Sequence, residues 1–104
     1  NWIEGDVIKI KPGSDNLKIP HMGWNELNIK NISEVFKNVE DKSHAYFIHS
    51  YEFLPKNKEV ISLSTIYGKE IVAAVCHENI YGSQFHPEKS QDTGFKILTS
   101  FLKI

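Results

Sequence analysis

His86 and Glu88, two residues apart in Gln84-Phe85-His86-Pro87-Glu88, are the side chains in this sequence best placed to move a proton. In an extended segment alternate side chains leave the same face, and two residues span roughly 6.6 Å, so the carboxylate can fold back onto an imidazole nitrogen. A carboxylate on one ring nitrogen leaves the other as a proton acceptor, the base half of a nucleophile–histidine–acid triad. The alternative is a hydrogen-bonded loop pair without chemistry, since ordinary paired histidines outnumber catalytic ones. Pro87 offers no N–H and restricts His86 before it, which places the pair where a strand runs out. Strand ends are where sites collect in α/β sheets.

Other residues compete for a chemical role. Cys76-His77-Glu78 sets a thiol beside an imidazole, but neighbours on a strand point to opposite faces and make a poor dyad. Behind Ala73-Ala74-Val75, Cys76 reads as a small buried hydrophobe. His21 has a ligand's chemistry but no second ligand at a suitable spacing. His49 reads as a second base or, more simply, as a core histidine satisfied by the backbone. Trp24 reads as a core plug or as an interface anchor, because tryptophan is enriched at interface centres. Gly23 before it and Asn25 after it suit an exposed turn.

The elements that must position these residues follow from pattern. Asp6 to Ile10 alternates polar and apolar residues and predicts a half-buried strand, ended by the turn cluster Pro12 to Asn16. Leu17 to His21 is a second extended run, with Pro20 at an edge or bend, and the two suit a hairpin beside the main sheet. Ser33 caps a predicted short helix through Val39, with Val35, Phe36 and Val39 as its apolar stripe. Ala45 to Phe53 reads as one strand, apolar on both faces and so inside the sheet, stopped by Pro55. Val60 to Tyr67 and Ile71 to Cys76, joined through Gly68-Lys69, form an antiparallel pair. Ile80 to Phe85 is the strand that delivers His86 and Glu88. Ser90 is the expected N-cap of a terminal helix, with Asp92 in its first turn. Its face of Phe95, Leu98, Phe101 and Leu102 is expected to dock on the sheet.

These elements fit at most one domain: the chain has 104 residues, 40% hydrophobic and 24% charged, with a net charge of −1. Lysines scattered through the chain leave no nucleic-acid footprint, and no apolar run reaches membrane-spanning length. A single cysteine excludes an intramolecular disulfide and fits a reducing compartment, so a cytoplasmic location is expected. The one methionine, Met22, lies inside a motif. Asn1 is therefore not expected to be a translation start, and the chain is expected to be a piece of a longer protein.

Gln84-Phe85-His86-Pro87-Glu88 resembles the triad motif of the class I glutamine amidotransferases, in which His and Glu serve a cysteine nucleophile. With Lys89-Ser90 after it, Pro20-His21-Met22-Gly23-Trp24-Asn25 upstream and His49-Ser50-Tyr51 between, the chain from Trp2 onward is similar to one branch of that family. This branch comprises the amidotransferase subunits of imidazole glycerol phosphate synthase. The resemblance implies an α/β fold over residues 1–104, the C-terminal half of a flavodoxin-like three-layer domain: a mixed sheet with β-hairpins and two helices. It implies that His86 is the general base and Glu88 its orienting partner, that Ser50 and Tyr51 contact glutamine, and that Trp24, Asn25, Tyr46 and Lys89 face a cyclase subunit. Ammonia released from glutamine would pass to that cyclase, which makes imidazole glycerol phosphate in histidine biosynthesis. No metal or organic cofactor is needed by this chemistry.

The same resemblance places the Gly-x-Cys-x-Gly nucleophile turn in the half of the family that this sequence does not cover. The chain alone is therefore expected not to turn glutamine over. The N-terminal half is itself an expected partner, because without it a sheet edge and an apolar face stay uncovered. One departure is Ser83, where the family more often has an apolar residue. It keeps open a paralogous amidotransferase of sugar (nonulosonate) metabolism. A non-catalytic module that docks a partner through Trp24 and Tyr46 is the other alternative.

Overall fold

The computed structural model describes residues 3–11 and 17–103, so the predicted turn at Pro12 to Asn16 lies outside the described residues. The strands are β1 (Gly5–Lys9), β2 (His21–Glu26), β3 (Asn28–Ile29), β4 (His44–His49), β5 (Tyr51–Pro55), β6 (Ile61–Ile66), β7 (Glu70–His77) and β8 (Ile80–Ser83), followed by one α-helix, α1 (Gln91–Leu102). A four-stranded sheet runs in the order β3-β6-β7-β8, and two further pairs are β1-β5 and β2-β4. Each of these pairings is antiparallel. The result is a strand-rich mixed α/β arrangement.

The β6–β7 hairpin forms where the β-branched runs predict it, and Gly68 at its tip has a φ of 78°, the positive value such turns require. Along β7, Ala73 and Ala74 are both buried although they face opposite ways, so this strand is covered on both sides. The core gathers there: Phe47, Leu27 and Leu63 are essentially inaccessible and meet Val35, Phe36, Phe85 and Ile97. Burying a side chain the size of Phe47 contributes about 2–3 kcal/mol.

Long-range pairing departs from the expected pattern. The run Ala45 to Phe53 is not one strand. It breaks at Ser50, with β4 pairing to β2 and β5 pairing to β1. The expected hairpin between the first strand and Leu17 to His21 is replaced by those same two pairings. Met22 to Asn25 is strand rather than turn, with Gly23 at a φ of 121° that a residue with a Cβ rarely adopts.

The helices differ too. Ser33 to Val39 makes a series of turns, held by a bond from the Val39 N–H to the Phe36 carbonyl at 3.1 Å. Val35, Phe36 and Val39 are nonetheless buried as the stripe predicts. Among the described residues α1 is thus the only α-helix. It buries Thr93, Gly94, Ile97 and Ser100, while Phe95, Leu98, Phe101 and Leu102 are 72%, 45%, 53% and 83% exposed. Of this face only Phe101 meets a sheet residue edge-to-face, Tyr81 of β8 at 6.4 Å, and the stripe stays largely open to solvent because the small residues sit where backbone comes close. A Cβ on Gly94 would collide with the Pro87 carbonyl, and Ser100 Oγ accepts from Asn38 at 3.0 Å. Among the described residues no helix is long and apolar enough to cross a membrane.

Candidate active site

The pair singled out by spacing meets in space: His86 Nδ1 lies 3.0 Å from Glu88 Oε2. How the chain arrives there follows from local chemistry. Beyond β8, the Gln84 N–H donates to the Ala73 carbonyl at 2.7 Å. Phe85 is then buried edge-to-face against Phe47, with centroids 5.7 Å apart. Ser83 donates its hydroxyl to the Phe85 carbonyl at 3.0 Å and secures this step. At His86 the chain changes partner, its N–H donating to the Tyr46 carbonyl on β4 at 2.9 Å.

Pro87 then opens a short 3₁₀ turn, Pro87–Lys89, where its missing N–H costs nothing. Glu88 reaches His86 through this turn and not along an extended strand. The carboxyl of Glu88 is held below the usual carboxylate range, first by its own backbone N–H and then by His86. An acceptor at Nδ1 assigns the ring proton to that nitrogen, leaving Nε2 to take a proton. The His86 side chain is 38% exposed.

Ser90 serves the turn in a way its expected role does not describe. It makes no side-chain cap on α1. Instead its hydroxyl donates to the His86 carbonyl at 2.6 Å and accepts from the Tyr46 N–H at 3.0 Å. A hydroxyl returning to the carbonyl four residues back is a known habit of serine, so the spacing from His86 to Ser90 was the available signal.

Behind this site runs a buried polar chain that spacing did not reveal. His21 and His49 are paired across β2 and β4, and His21 Nδ1 lies 2.9 Å from His49 Nε2. His49 Nδ1 lies 2.9 Å from the Tyr51 carbonyl, and Asn25 Nδ2 lies 3.2 Å from His21 Nε2. The His21 ring is stacked between Phe47 and Tyr67, at 4.7 and 4.1 Å between centroids. The Tyr67 hydroxyl is bonded to the Lys18 carbonyl. Burial, with His49 beside it, lowers the pKa of His21 to about 4. Burial also lowers His49, with the charge of His86 acting in the same sense and the Tyr51 carbonyl and Glu52 opposing. Glu52 is itself fully buried, its carboxylate 2.7 Å from the Lys69 ammonium.

The remaining candidates are distributed as follows. Ser50 is half-buried in the bend between β4 and β5, and Tyr51 is exposed beside it. Trp24 is 50% exposed and meets Tyr46 edge-to-face at 5.9 Å, and Lys89 Nζ stands 6.0 Å from the Tyr46 ring centre. Asn25 turns the other way from Trp24: its amide donates to the Ile66 carbonyl at 2.8 Å and faces His21. Cys76 belongs to a different locality. Burial pushes its thiol up, its neighbours are Ser33 and Tyr81, and its Sγ lies 3.8 Å from the Glu78 carbonyl. No group of His, Cys, Asp and Glu able to hold a metal is present among the described residues.

A carboxylate-bound histidine at a strand end, over a strand-rich α/β frame, has a counterpart among known families. The model of the class-I glutamine amidotransferases matches residues 3–104, and the chain belongs to that family. More particularly, it is similar to imidazole glycerol phosphate synthase subunit HisH of three bacteria. The identity is 52% over 103 residues with Pelagibacter ubique, 46% over 101 with Azospirillum brasilense and 45% over 105 with Geobacter sulfurreducens. These alignments take in 97–99% of this chain and 50–53% of those proteins. The chain thus spans about half the length of the curated relatives it matches. A solved structure, that of a putative GMP synthase protein from Thermoplasma acidophilum, superposes with a TM-score of 0.74 over 95% of this chain and 47% of that one. At 20% identity that likeness speaks to the fold alone.

Proposed function

We propose that this chain carries the base and the acid of a glutaminase triad, within the amidotransferase subunit of an imidazole glycerol phosphate synthase. The observation that carries the reading is the 3.0 Å contact of His86 Nδ1 with Glu88 Oε2, on a backbone held to β4. His86 Nε2 takes the proton of a cysteine thiol, and the thiolate attacks the amide carbon of glutamine. His86 returns the proton to the leaving nitrogen, which departs as ammonia. It then accepts a proton from the water that releases glutamate from the thioester. Glu88 holds the ring and stabilises its charged form. Ser50 and Tyr51 contact the substrate through the backbone of the β4–β5 bend.

The nucleophile is not Cys76, whose raised pKa and separate neighbourhood disfavour a thiolate facing His86. It is supplied from the part of the relatives' length that this chain does not span, and the chain alone is silent. Trp24, Asn25, Tyr46 and Lys89 are the residues for the face towards a cyclase subunit in a cytoplasmic heterodimer, although the Asn25 amide is committed to the Ile66 carbonyl and His21. The ammonia goes to that subunit.

The test uses the complete protein that carries this chain, together with its cyclase. His86→Ala is expected to lower glutamine-dependent turnover by ~10²–10⁴-fold, the scale of losing a general base. The reaction driven by free ammonium salt, which bypasses the triad, is expected to continue. Equal loss of both activities would place His86 in assembly instead of catalysis.

A further inference from the structure

The geometry points to Ser90 as a positioning residue for His86, an inference that rests on the glutaminase reading. A histidine base needs two anchors, one on the ring and one on the main chain. Glu88 supplies the first. The second is a closed set of hydrogen bonds between His86 and Tyr46, and Ser90 completes it. The His86 N–H donates to the Tyr46 carbonyl at 2.9 Å. The Tyr46 N–H donates to Ser90 Oγ at 3.0 Å, and Ser90 Oγ donates to the His86 carbonyl at 2.6 Å. Both main-chain groups of Tyr46 are thereby committed to the segment that carries the base.

Burial makes the hydroxyl hard to replace. Ser90 is 1% exposed, so water has no ready route to the Tyr46 N–H if the hydroxyl is removed. The seat beneath is close-fitting as well, since only a glycine at position 94 lets α1 approach the Pro87 carbonyl. A hydroxyl freed from capping the helix is thus used to join the turn to β4. Reacting groups must be held within ~0.5 Å of the productive geometry, and a misplacement of about 1 Å costs on the order of 10²-fold in rate. A loosened His86 main chain therefore lowers turnover more than it lowers affinity for glutamine.

The experiment compares Ser90→Ala with Ser90→Thr, which keeps the hydroxyl, in the complete protein with its cyclase. Ser90→Ala is expected to lower kcat for glutamine by ~10-fold or more, with KM changed by less than about twofold and the ammonia-driven rate preserved. Ser90→Thr is expected to recover most of the loss. Nitrogen-15 shifts of the His86 ring give a second readout. They are expected to report the Nδ1–H form in the unmodified protein and a mixture of tautomers in Ser90→Ala. Unchanged kcat with an unchanged ring would overturn the assignment. So would an equal fall of both variants together with the ammonia-driven reaction, which would mark Ser90 as packing. If the unmodified protein released no glutamate, the glutaminase reading would fail, and the ring tautomer in Ser90→Ala would still decide whether Ser90 positions His86.

Discussion

His21 and His49 share a single proton-donating direction across β2 and β4. The Tyr51 carbonyl only accepts, so His49 Nδ1 carries hydrogen and His49 Nε2 does not. His21 Nδ1, 2.9 Å away, must therefore donate, which leaves His21 Nε2 to accept from Asn25. The chain is complete only with both rings neutral. A proton added to His49 Nε2 would oppose one N–H to another at 2.9 Å.

That arrangement ties stability to pH with a definite sign. The folded pKa of His21 lies near 4, below its ordinary 6.5, and His49 is lowered too. Between those values the unfolded chain binds protons that the folded one excludes, so stability is fully present above pH 6.5 and is lost as pH falls towards 4. The groups facing the pair, Glu52, Tyr67 and His86, are common to any variant used as a control. The melting temperature of the complete protein is expected to fall over that window, and the slope is expected to be shallower in His21→Gln. Parallel slopes for the two proteins would show that the acid sensitivity arises elsewhere.

Trp24 offers a test of the partner face. A tryptophan in the core costs ~3–5 kcal/mol when cut to alanine, whatever partner is present. Half exposed on β2 and resting on Tyr46, Trp24 is expected to cost less than about 1 kcal/mol in the free protein. Cyclase binding is expected to weaken by ~2 kcal/mol, about 30-fold in Kd. Thermal melting beside titration with the cyclase separates the two, and a large fall in melting temperature with unchanged affinity would return Trp24 to the core.

Gly94→Ala sets two magnitudes against each other. Alanine is the better helix former by ~1 kcal/mol. Its Cβ, however, would meet the Pro87 carbonyl, which belongs to the backbone and cannot swing aside as a side chain would. Overpacking of that kind costs ~1–3 kcal/mol, so a net loss of stability is expected, together with reduced glutamine turnover as the Pro87–Lys89 turn is displaced. Denaturant melts and steady-state rates on the complete protein measure both. A stabilised, fully active Gly94→Ala would mean that α1 and the turn separate at little cost.

Sequence alone determined the features that neighbours along the chain can settle. His86 and Glu88 lie two residues apart with proline between, and either an extended strand or a short turn brings them together. Two β-branched runs around Gly68 pair because the loop between them is short and closing it costs little entropy. Cys76 is kept from His77 by the alternation of the strand. Tertiary structure decided which distant segments share hydrogen bonds. Ala45 to Phe53 has the composition of one buried strand, yet it serves two sheets, because apolar residues register burial without naming the partner that supplies it. The same limit hid the rotation of α1, where backbone approach at Gly94 leaves Phe95 and Leu102 open to solvent and Phe101 half exposed against Tyr81. It hid the contact of His21 with His49 as well, since no spacing along the chain encodes a register between two strands that meet only in the folded protein.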